Sequence, residues 1–275
     1  MRERTRNIED LIASADSIIN QGCVAAGNWN IEPLFSGGHD SLVATHLASQ
    51  HPKFSGRVHH IDTTIGSKYT RGFVEKVCDK FNWQLVVHKS NKSFEKVVAT
   101  YGFPGPALHR VAYGALKDRC IYAITRTSKE SRILVNGSRS AESVRRMGHA
   151  VAVRKGELQK DGTLRNKKRV WTAPCIDWSK SEQMLYMDEF GLPVNKLKVA
   201  IGLSGECFCG AFAHRGEREK IKEHAPDVED KICDLTSIAR KHGKPCIWGR
   251  PPGKQPPLPE TGPMCSSCDL KYNSS

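Results

Sequence analysis

The sequence predicts a doubly wound, mostly parallel α/β sheet followed by a helical, cysteine-bearing C-terminal region. Three observations carry that prediction. Short apolar segments alternate with amphipathic ones over the first half of the chain. A glycine-rich turn, Ser36-Gly37-Gly38-His39-Asp40-Ser41, joins one apolar segment to a helical one. Two further polar groups, at Asp62 and at Gly137–Arg139, end other apolar segments. Open parallel sheets take their ligands at those strand ends.

Taken in order, Ile8 to Gln21 reads as an amphipathic helix with Ile8, Leu11, Ile12, Ala15, Ile18 and Ile19 on one face, ended by Gly22. Ile31 to Phe35 reads as a short buried strand and Ser41 to Ser49 as the helix after the turn. A strand over Arg57–Thr64, a helix over Tyr69–Phe81 and a strand over Gln84–His88 follow. Helices are expected over Phe94–Tyr101 and Arg110–Ser128, the latter carrying Lys117 and Cys120. Arg132 to Gly137 reads as another buried strand. Val151 to Trp171 resembles a hairpin turning at Asp161-Gly162 and crowded with Arg154, Lys155, Lys160, Arg165, Lys167, Lys168 and Arg169. It is either a solvated protruding arm or an arm that tracks nucleic-acid phosphates. A helix over Ser179–Phe190, with Ser181 as cap and Gly191 as stop, and helices over Gly216–His224 and Pro226–Lys241 complete the chain before a Pro/Gly-rich tail from Gly249.

The turn at Ser36–Ser41 has the makings of a phosphate loop. Its glycines let the backbone turn tightly and approach a ligand. The helix start presents free N–H groups and a positive dipole end to an anion. Ser36 and Ser41 add hydroxyl donors. Asp40 shares the charge of a phosphate, so its roles are holding Mg²⁺ or orienting the loop. The spacing matches neither G-x-x-x-x-G-K-[ST] nor G-x-G-x-x-G.

Composition narrows the class. The 275 residues suffice for one large α/β domain and an appendage. No apolar run reaches membrane-spanning length. Met1–Arg6 is followed by no apolar signal region, and Glu3, Glu9 and Asp10 argue against a transit peptide, so a cytoplasmic protein is expected. Lys and Arg outnumber Asp and Glu by 42 to 29, a formal charge of +13 that suits small anionic nucleotides or nucleic acid. Ten cysteines without a signal peptide read as metal ligands or thiols before disulfides. Cys207-x-Cys209 and Cys265-x-x-Cys268 are two close pairs of the kind a tetrathiolate site needs, for zinc or an iron–sulfur cluster. Cys175, Cys233 and Cys246 are substitutes.

The motifs, in order, resemble one family. Ser36-Gly37-Gly38-His39-Asp40-Ser41 is similar to the S-G-G-x-D-S pyrophosphate loop of N-type ATP pyrophosphatases and sulfonucleotide reductases. Ile61-Asp62-Thr63-Thr64, Gly102-Phe103-Pro104 with Leu116-Lys117, Gly137 to Arg146, Pro174 to Ser179 and Ser204 to Cys209 follow the order of the phosphoadenosine phosphosulfate reductase family, within the adenine-nucleotide α-hydrolase-like superfamily. The likeness runs from about Asn30 to Ala239. It implies that Ser36, Gly37, Gly38, His39, Asp40 and Ser41 cradle phosphates with Gly137, that Asp62 and Thr63 lie near the adenosine, and that Lys117, Arg139 and Arg145 neutralise anionic groups. Asp40, Lys117 and Arg139 form the expected catalytic set. Relatives with four cysteines imply a [4Fe–4S] cluster on Cys207, Cys209, Cys265 and Cys268, with Zn²⁺ as the alternative. Two features depart from the reductase pattern: the tail lacks a Glu-Cys-Gly segment, and His39 stands where a lysine is common.

The expected organisation is an N-terminal helix over 1–29, a nucleotide-binding domain over 30–200 carrying the basic hairpin 150–171, and a helical cysteine-ligand region over 201–275. The expected function is ATP-dependent adenylation with sulfur transfer, using Mg²⁺ and a sulfur donor, with DNA or RNA engaged through the basic arm 154–169. One alternative is reduction of adenylyl sulfate or its 3′-phosphorylated form with a thioredoxin-like reductant. Another is a non-catalytic nucleotide- or nucleic-acid-binding subunit.

Overall fold

The structure, a computed structural model, describes residues 6–27, 29–106, 108–126, 132–140, 151–158 and 164–249. Helix α1 (Ile8–Ala26) starts at Asn7, whose side chain accepts from the Asp10 N–H, and buries Leu11, Ala15, Ile18 and Ile19. The helix passes through Gly22 and stops at Gly27, where φ is +76° and the N–H closes on the carbonyls of Cys23 and Val24. Gly22 is therefore a packing residue and not a stop. A Cβ there would sit 2.4 Å from Thr172 Oγ1, so the glycine lets the helix lie close to the sheet.

Strand β1 (Ile31–Pro33) leads to α2 (His39–Ser49), which begins two residues before the expected Ser41. Next come β2 (Arg57–Asp62), α3 (Lys68–Lys80), β3 (Gln84–Lys89) and α4 (Phe94–Tyr101). The long helix expected from Arg110 is three segments: α5 (His109–Tyr113), a π-helical turn (Gly114–Asp118) and α6 (Arg119–Arg126). The π turn holds Lys117, and such turns recur at functional positions. Then follow β4 (Arg132–Val135), β5 (Val153–Leu158), β6 (Leu164–Thr172), α7 (Lys180–Glu189), α8 (Lys196–Ile201), α9 (Glu217–His224) and α10 (Pro226–Lys241).

The main sheet has the order β1-β4-β6-β5. β1 and β4 are parallel with Ile31 opposite Ile133, and β4 and β6 are parallel with Val135 opposite Thr172. β5 runs antiparallel to β6. β2 and β3 pair separately, and a parallel bridge from Leu34 to His59 with a 2.8 Å bond from Phe35 N–H to His59 O sets β2 beside β1. The fold is thus a mostly parallel α/β sheet with helices at the C-terminal end of the chain.

The hairpin exists, but its second strand is an internal strand of the sheet. Arg169, counted among the arm's cations, is buried: it donates to Thr125 Oγ1 at 3.4 Å and lies over the Trp171 ring. Arg154, Lys155, Lys167 and Lys168 are exposed. The difference follows from position along β6: Arg169 pairs with Arg132 of β4, inside the sheet, whereas Lys167 and Lys168 lie beyond the end of β4.

The chain forms two compact units. Among the described residues, one draws on Met1–His60, Glu75–Val86 and Ala123–Val194, the other on Ile61–Val74, Val87–Tyr122 and Asn195–Ser275. In the first, Glu32 of β1 is fully buried and meets Arg57, Arg132 and, at 3.0 Å, His59 Nε2. Burial alone would raise its pKa, but hydrogen bonds from His59 and Arg132 outweigh that and hold it at about 2. Helix α7 is capped by Ser179, not Ser181: the Ser179 hydroxyl accepts from Glu182 N–H and Glu182 accepts from Ser179 N–H, a reciprocal box. Glu182 also takes Arg6 at 2.9 Å, while Arg6 reaches Asp177 at 2.7 Å, fastening the chain start to α7. The core of the second unit gathers Phe94, Phe103, Leu116, Phe208, Ile232 and Trp248. No described helix is long and apolar enough to cross a membrane.

Candidate functional site

The first unit holds the glycine-rich loop. β1 delivers the chain to Ser36, Gly37 turns it at φ +82°, and Gly38 leads into the first turn of α2. The Ser41 hydroxyl ties the loop together: it donates to Gly38 O at 2.9 Å, accepts from Ser36 N–H at 3.2 Å and lies 3.1 Å from Ser36 Oγ. Gly137, expected to cradle phosphates with that loop, sits just beyond β4. A Cβ on it would come within 2.3 Å of Asp40 C and 2.4 Å of Ser41 N. The two strand ends therefore touch through backbone, a contact that only glycine permits.

Asp40 is held from two directions. Arg139 Nε and Gln183 Nε2, the latter at 2.7 Å, both donate to Asp40 Oδ1. Arg139 is buried and donates again to Trp178 O at 3.3 Å. The segment 136–140 is braced by bonds from Asn136 N–H to Thr172 O (3.0 Å) and from Ser140 N–H to Ile176 O (2.6 Å). Ser36–Ser41, Gly137 and Arg139 are thus brought together, as their strand-end positions suggested. Gln183 was missed, because nothing in its local sequence marks it. The Ser179-x-x-Glu182 box fixes where α7 starts, and that start aims Gln183 at Asp40.

The second unit holds Asp62, Thr63, Lys117, Cys207 and Cys209. Asp62 accepts from Thr64 N–H at 2.7 Å, shaping a turn in which Thr64 has φ +67°. Thr63 N–H donates to Glu206 Oε1 at 2.8 Å, Thr63 Oγ1 donates to Glu206 O, and Ser67 N–H donates to Gly205 O at 2.8 Å. Buried Glu206 therefore locks the turn after β2 to the loop bearing the cysteine pair. Glu206→Ala should lower the denaturation midpoint by about 2 kcal/mol of stability, since buried Thr63 N–H loses its acceptor. An unchanged midpoint in urea would remove Glu206 from this role.

The sulfurs of Cys207 and Cys209 lie 3.8 Å apart. The hydrogen bond between them draws Cys207 down against the effect of burial, and Lys117 adds to the fall. Cys209 is pushed well up by the same bond and by burial. The spacing also suits a metal: a tetrahedral site with metal–sulfur bonds of about 2.3 Å puts neighbouring sulfurs about 3.8 Å apart. Cys265 and Cys268, the other expected ligands, lie outside the described residues, as does Arg145. Among the described residues no group of three or more His, Cys, Asp or Glu side chains could hold a metal ion. Cys175 is buried in the first unit, and its thiol is pushed well up by burial. Trp248 Nε1 donates to Phe208 O at 2.8 Å and packs the segment bearing Cys246 onto the core of this unit.

Comparison with known proteins agrees with the motif order. The family model described as phosphoadenosine phosphosulfate reductase domain matches residues 30–200. No curated protein matches the sequence. Among solved structures, phosphoadenylyl-sulfate reductase from Candida auris in a phosphate complex has 16% identity and a TM-score of 0.47, covering 70% of this chain and 92% of that one. NH3-dependent NAD synthetase from Campylobacter jejuni has 14% identity and a TM-score of 0.47, covering 87% and 97%. FMN adenylyltransferase from Candida glabrata, with FAD and inorganic pyrophosphate, has 13% identity and a TM-score of 0.46, covering 73% and 66%.

Proposed function

This chain belongs to the phosphoadenosine phosphosulfate reductase family, and on that premise we propose that it is an ATP-dependent adenylating enzyme that prepares an acceptor for sulfur transfer. The observation that carries the reading is the Ser36–Ser41 loop, closed on Gly137 and opening onto the N-terminus of α2. Backbone N–H groups at a helix start beside serine hydroxyls are the chemistry that a pyrophosphate, the leaving group of adenylation, calls for. In that reaction an acceptor oxygen or nitrogen forms a bond to the α-phosphorus of ATP while the bond from that phosphorus to the bridging oxygen breaks. A sulfur nucleophile then displaces AMP from the adenylylated acceptor.

Contacts within the loop and the family pattern support these roles. Ser36, Gly37, Gly38, His39 and Ser41 line the phosphate turn. Asp40, paired with Arg139, orients the loop, the second of its two expected roles; Mg²⁺ would arrive on the nucleotide's own phosphates. Arg139 is a positioning residue acting through Asp40. Lys117 supplies positive charge, and Asp62 and Thr63 form the turn assigned by the family pattern to the adenosine. Cys207 and Cys209 would provide half of a tetrathiolate site, with Cys265 and Cys268 the other half; an iron–sulfur cluster there would supply sulfur or electrons and zinc would supply rigidity.

A second reading is favoured by one observation, the 3.8 Å separation of the Cys207 and Cys209 sulfurs. In a sulfonucleotide reductase without the Glu-Cys-Gly tail segment, the Cys207 thiolate would attack the sulfate sulfur and break its bond to the phosphate oxygen. Cys209 would then attack Cys207 sulfur, releasing sulfite and leaving a disulfide for a thioredoxin-like dithiol to reduce.

Anaerobic protein given α-labelled ATP, Mg²⁺ and mixed nucleic acid should release AMP and pyrophosphate. Parallel samples with phosphoadenosine phosphosulfate or adenylyl sulfate and thioredoxin should release no sulfite. Sulfite without pyrophosphate would replace the first reading with the second.

A further inference from the structure

The second unit carries a charged face that the nucleotide chemistry does not use. β3 ends at Lys89, and Ser90 Oγ donates to Ala115 O at 2.6 Å, which pins the loop after β3 to the π turn. Lys92 N–H donates back to Ser90 Oγ at 3.2 Å. Two cations then converge on Asn91: Lys96 Nζ reaches its backbone oxygen at 3.5 Å and Arg119 Nη1 reaches its Oδ1 at 3.2 Å. Lys89, Lys92, Lys96 and Arg119 are all exposed. Tyr122, three residues beyond Arg119 and so one turn along α6, is 49% exposed. Cys120, Ile121 and Ile124 bury the other side of the helix, so the tyrosine is held outward by packing. From Lys89 to Tyr122 the sequence has six Lys or Arg and only two carboxylates, Glu95 and Asp118.

We propose that this face binds single-stranded nucleic acid, with phosphates on Lys92, Lys96 and Arg119 and an unpaired base stacked on Tyr122. Clustered cations hold a phosphate backbone, and an exposed ring one turn from Arg119 offers a stacking platform that a paired base cannot use. The inference rests on the adenylation reading in one respect: it names a polynucleotide as the class of acceptor.

Fluorescence anisotropy on the full chain, with labelled dT20, U20 and a 20-base-pair duplex between 50 and 200 mM salt, tests it. Wild type should bind the single strands, and whichever of dT20 and U20 binds more tightly identifies DNA or RNA. Lys92→Ala/Lys96→Ala/Arg119→Ala should weaken binding at least tenfold and flatten the slope of log K against log salt by about 2, from roughly 0.7 per phosphate contact. Tyr122→Ala should weaken single-strand binding about tenfold without changing the slope, and should leave duplex binding unaltered. If the triple variant fails to fold, Lys92→Gln/Lys96→Gln should flatten the slope by about 1.4. The proposal is overturned by absent single-strand binding at 50 mM salt, by variants with wild-type affinity and slope, or by loss of binding only in Lys167→Ala/Lys168→Ala on the hairpin. ATP binding measured on the same wild-type sample separates the two readings. Oligonucleotide bound without ATP sinks adenylation alone, and ATP bound without oligonucleotide sinks this surface alone.

Discussion

Gly137→Ala should lose at least about 100-fold in ATP affinity while the chain stays folded, because an ångström-scale displacement of a positioned group costs about that much. The added methyl would lie 2.3 to 2.5 Å from Asp40 C, Asp40 O and Ser41 N, all backbone atoms. A backbone neighbour cannot rotate away as a flexible side chain can, so the first turn of α2 or the end of β4 must shift. That shift moves Ser41, whose hydroxyl holds both Ser36 and Gly38. The cost in stability should be smaller, about 1–3 kcal/mol as for other overpacked sites. Gly72→Ala is the control: nothing lies within 4 Å of its Cβ position, and alanine favours the α3 helix. Titration calorimetry with ATP, paired with urea denaturation, reads both effects. Wild-type affinity in Gly137→Ala would mean that the loop is not where the nucleotide binds.

Glu32→Gln should cost about 3–5 kcal/mol, the usual penalty for removing one partner of a buried ion cluster. The side chain is fully buried, and its loss leaves Arg57 and Arg132 facing one another without a counter-charge. The amide keeps the volume, so the effect isolates charge from packing. The same carboxylate predicts a pH dependence. Glu32 and Glu182 both fall from an ordinary value of 4.5 to about 2 in the folded chain, Glu182 chiefly through its hydrogen bond from Arg6. A folded-state pKa below the unfolded one gives stability that is fully present above about pH 4.5 and is lost as pH falls towards 2. The urea midpoint should therefore drop between pH 4.5 and 2, and drop less steeply in Glu32→Gln. Parallel acid profiles for wild type and variant would show that Glu32 gains nothing from its arginines.

Much of this could be read from the sequence because it rests on local physics. The order of motifs identified the family, and the alternation of apolar and amphipathic segments gave the mostly parallel sheet. Glycines at 37 and 38 between a strand and a helix marked the phosphate loop without any knowledge of tertiary contacts. The coincidence of Gly137 and Arg139 with a strand end correctly grouped them with that loop. Pro226 at the start of α10 and the α9 boundaries also followed from short-range signals.

Tertiary structure decided what depends on partners distant in sequence. Gly22 looks like a helix stop, yet α1 runs on because the sheet approaches so closely at Thr172 that only glycine fits. Arg169 reads as one more cation of a basic arm, yet pairing of β6 with β4 begins at this residue and encloses it beside Thr125. Asp40 takes its hydrogen bonds from Arg139 and Gln183, 99 and 143 residues away, which no local pattern marks. Glu206 gave no signal beyond its place before Cys207, because its partner Thr63 lies 143 residues earlier. Backbone preference and periodicity are written into neighbouring residues, whereas a buried charge takes its meaning from whatever the fold places against it.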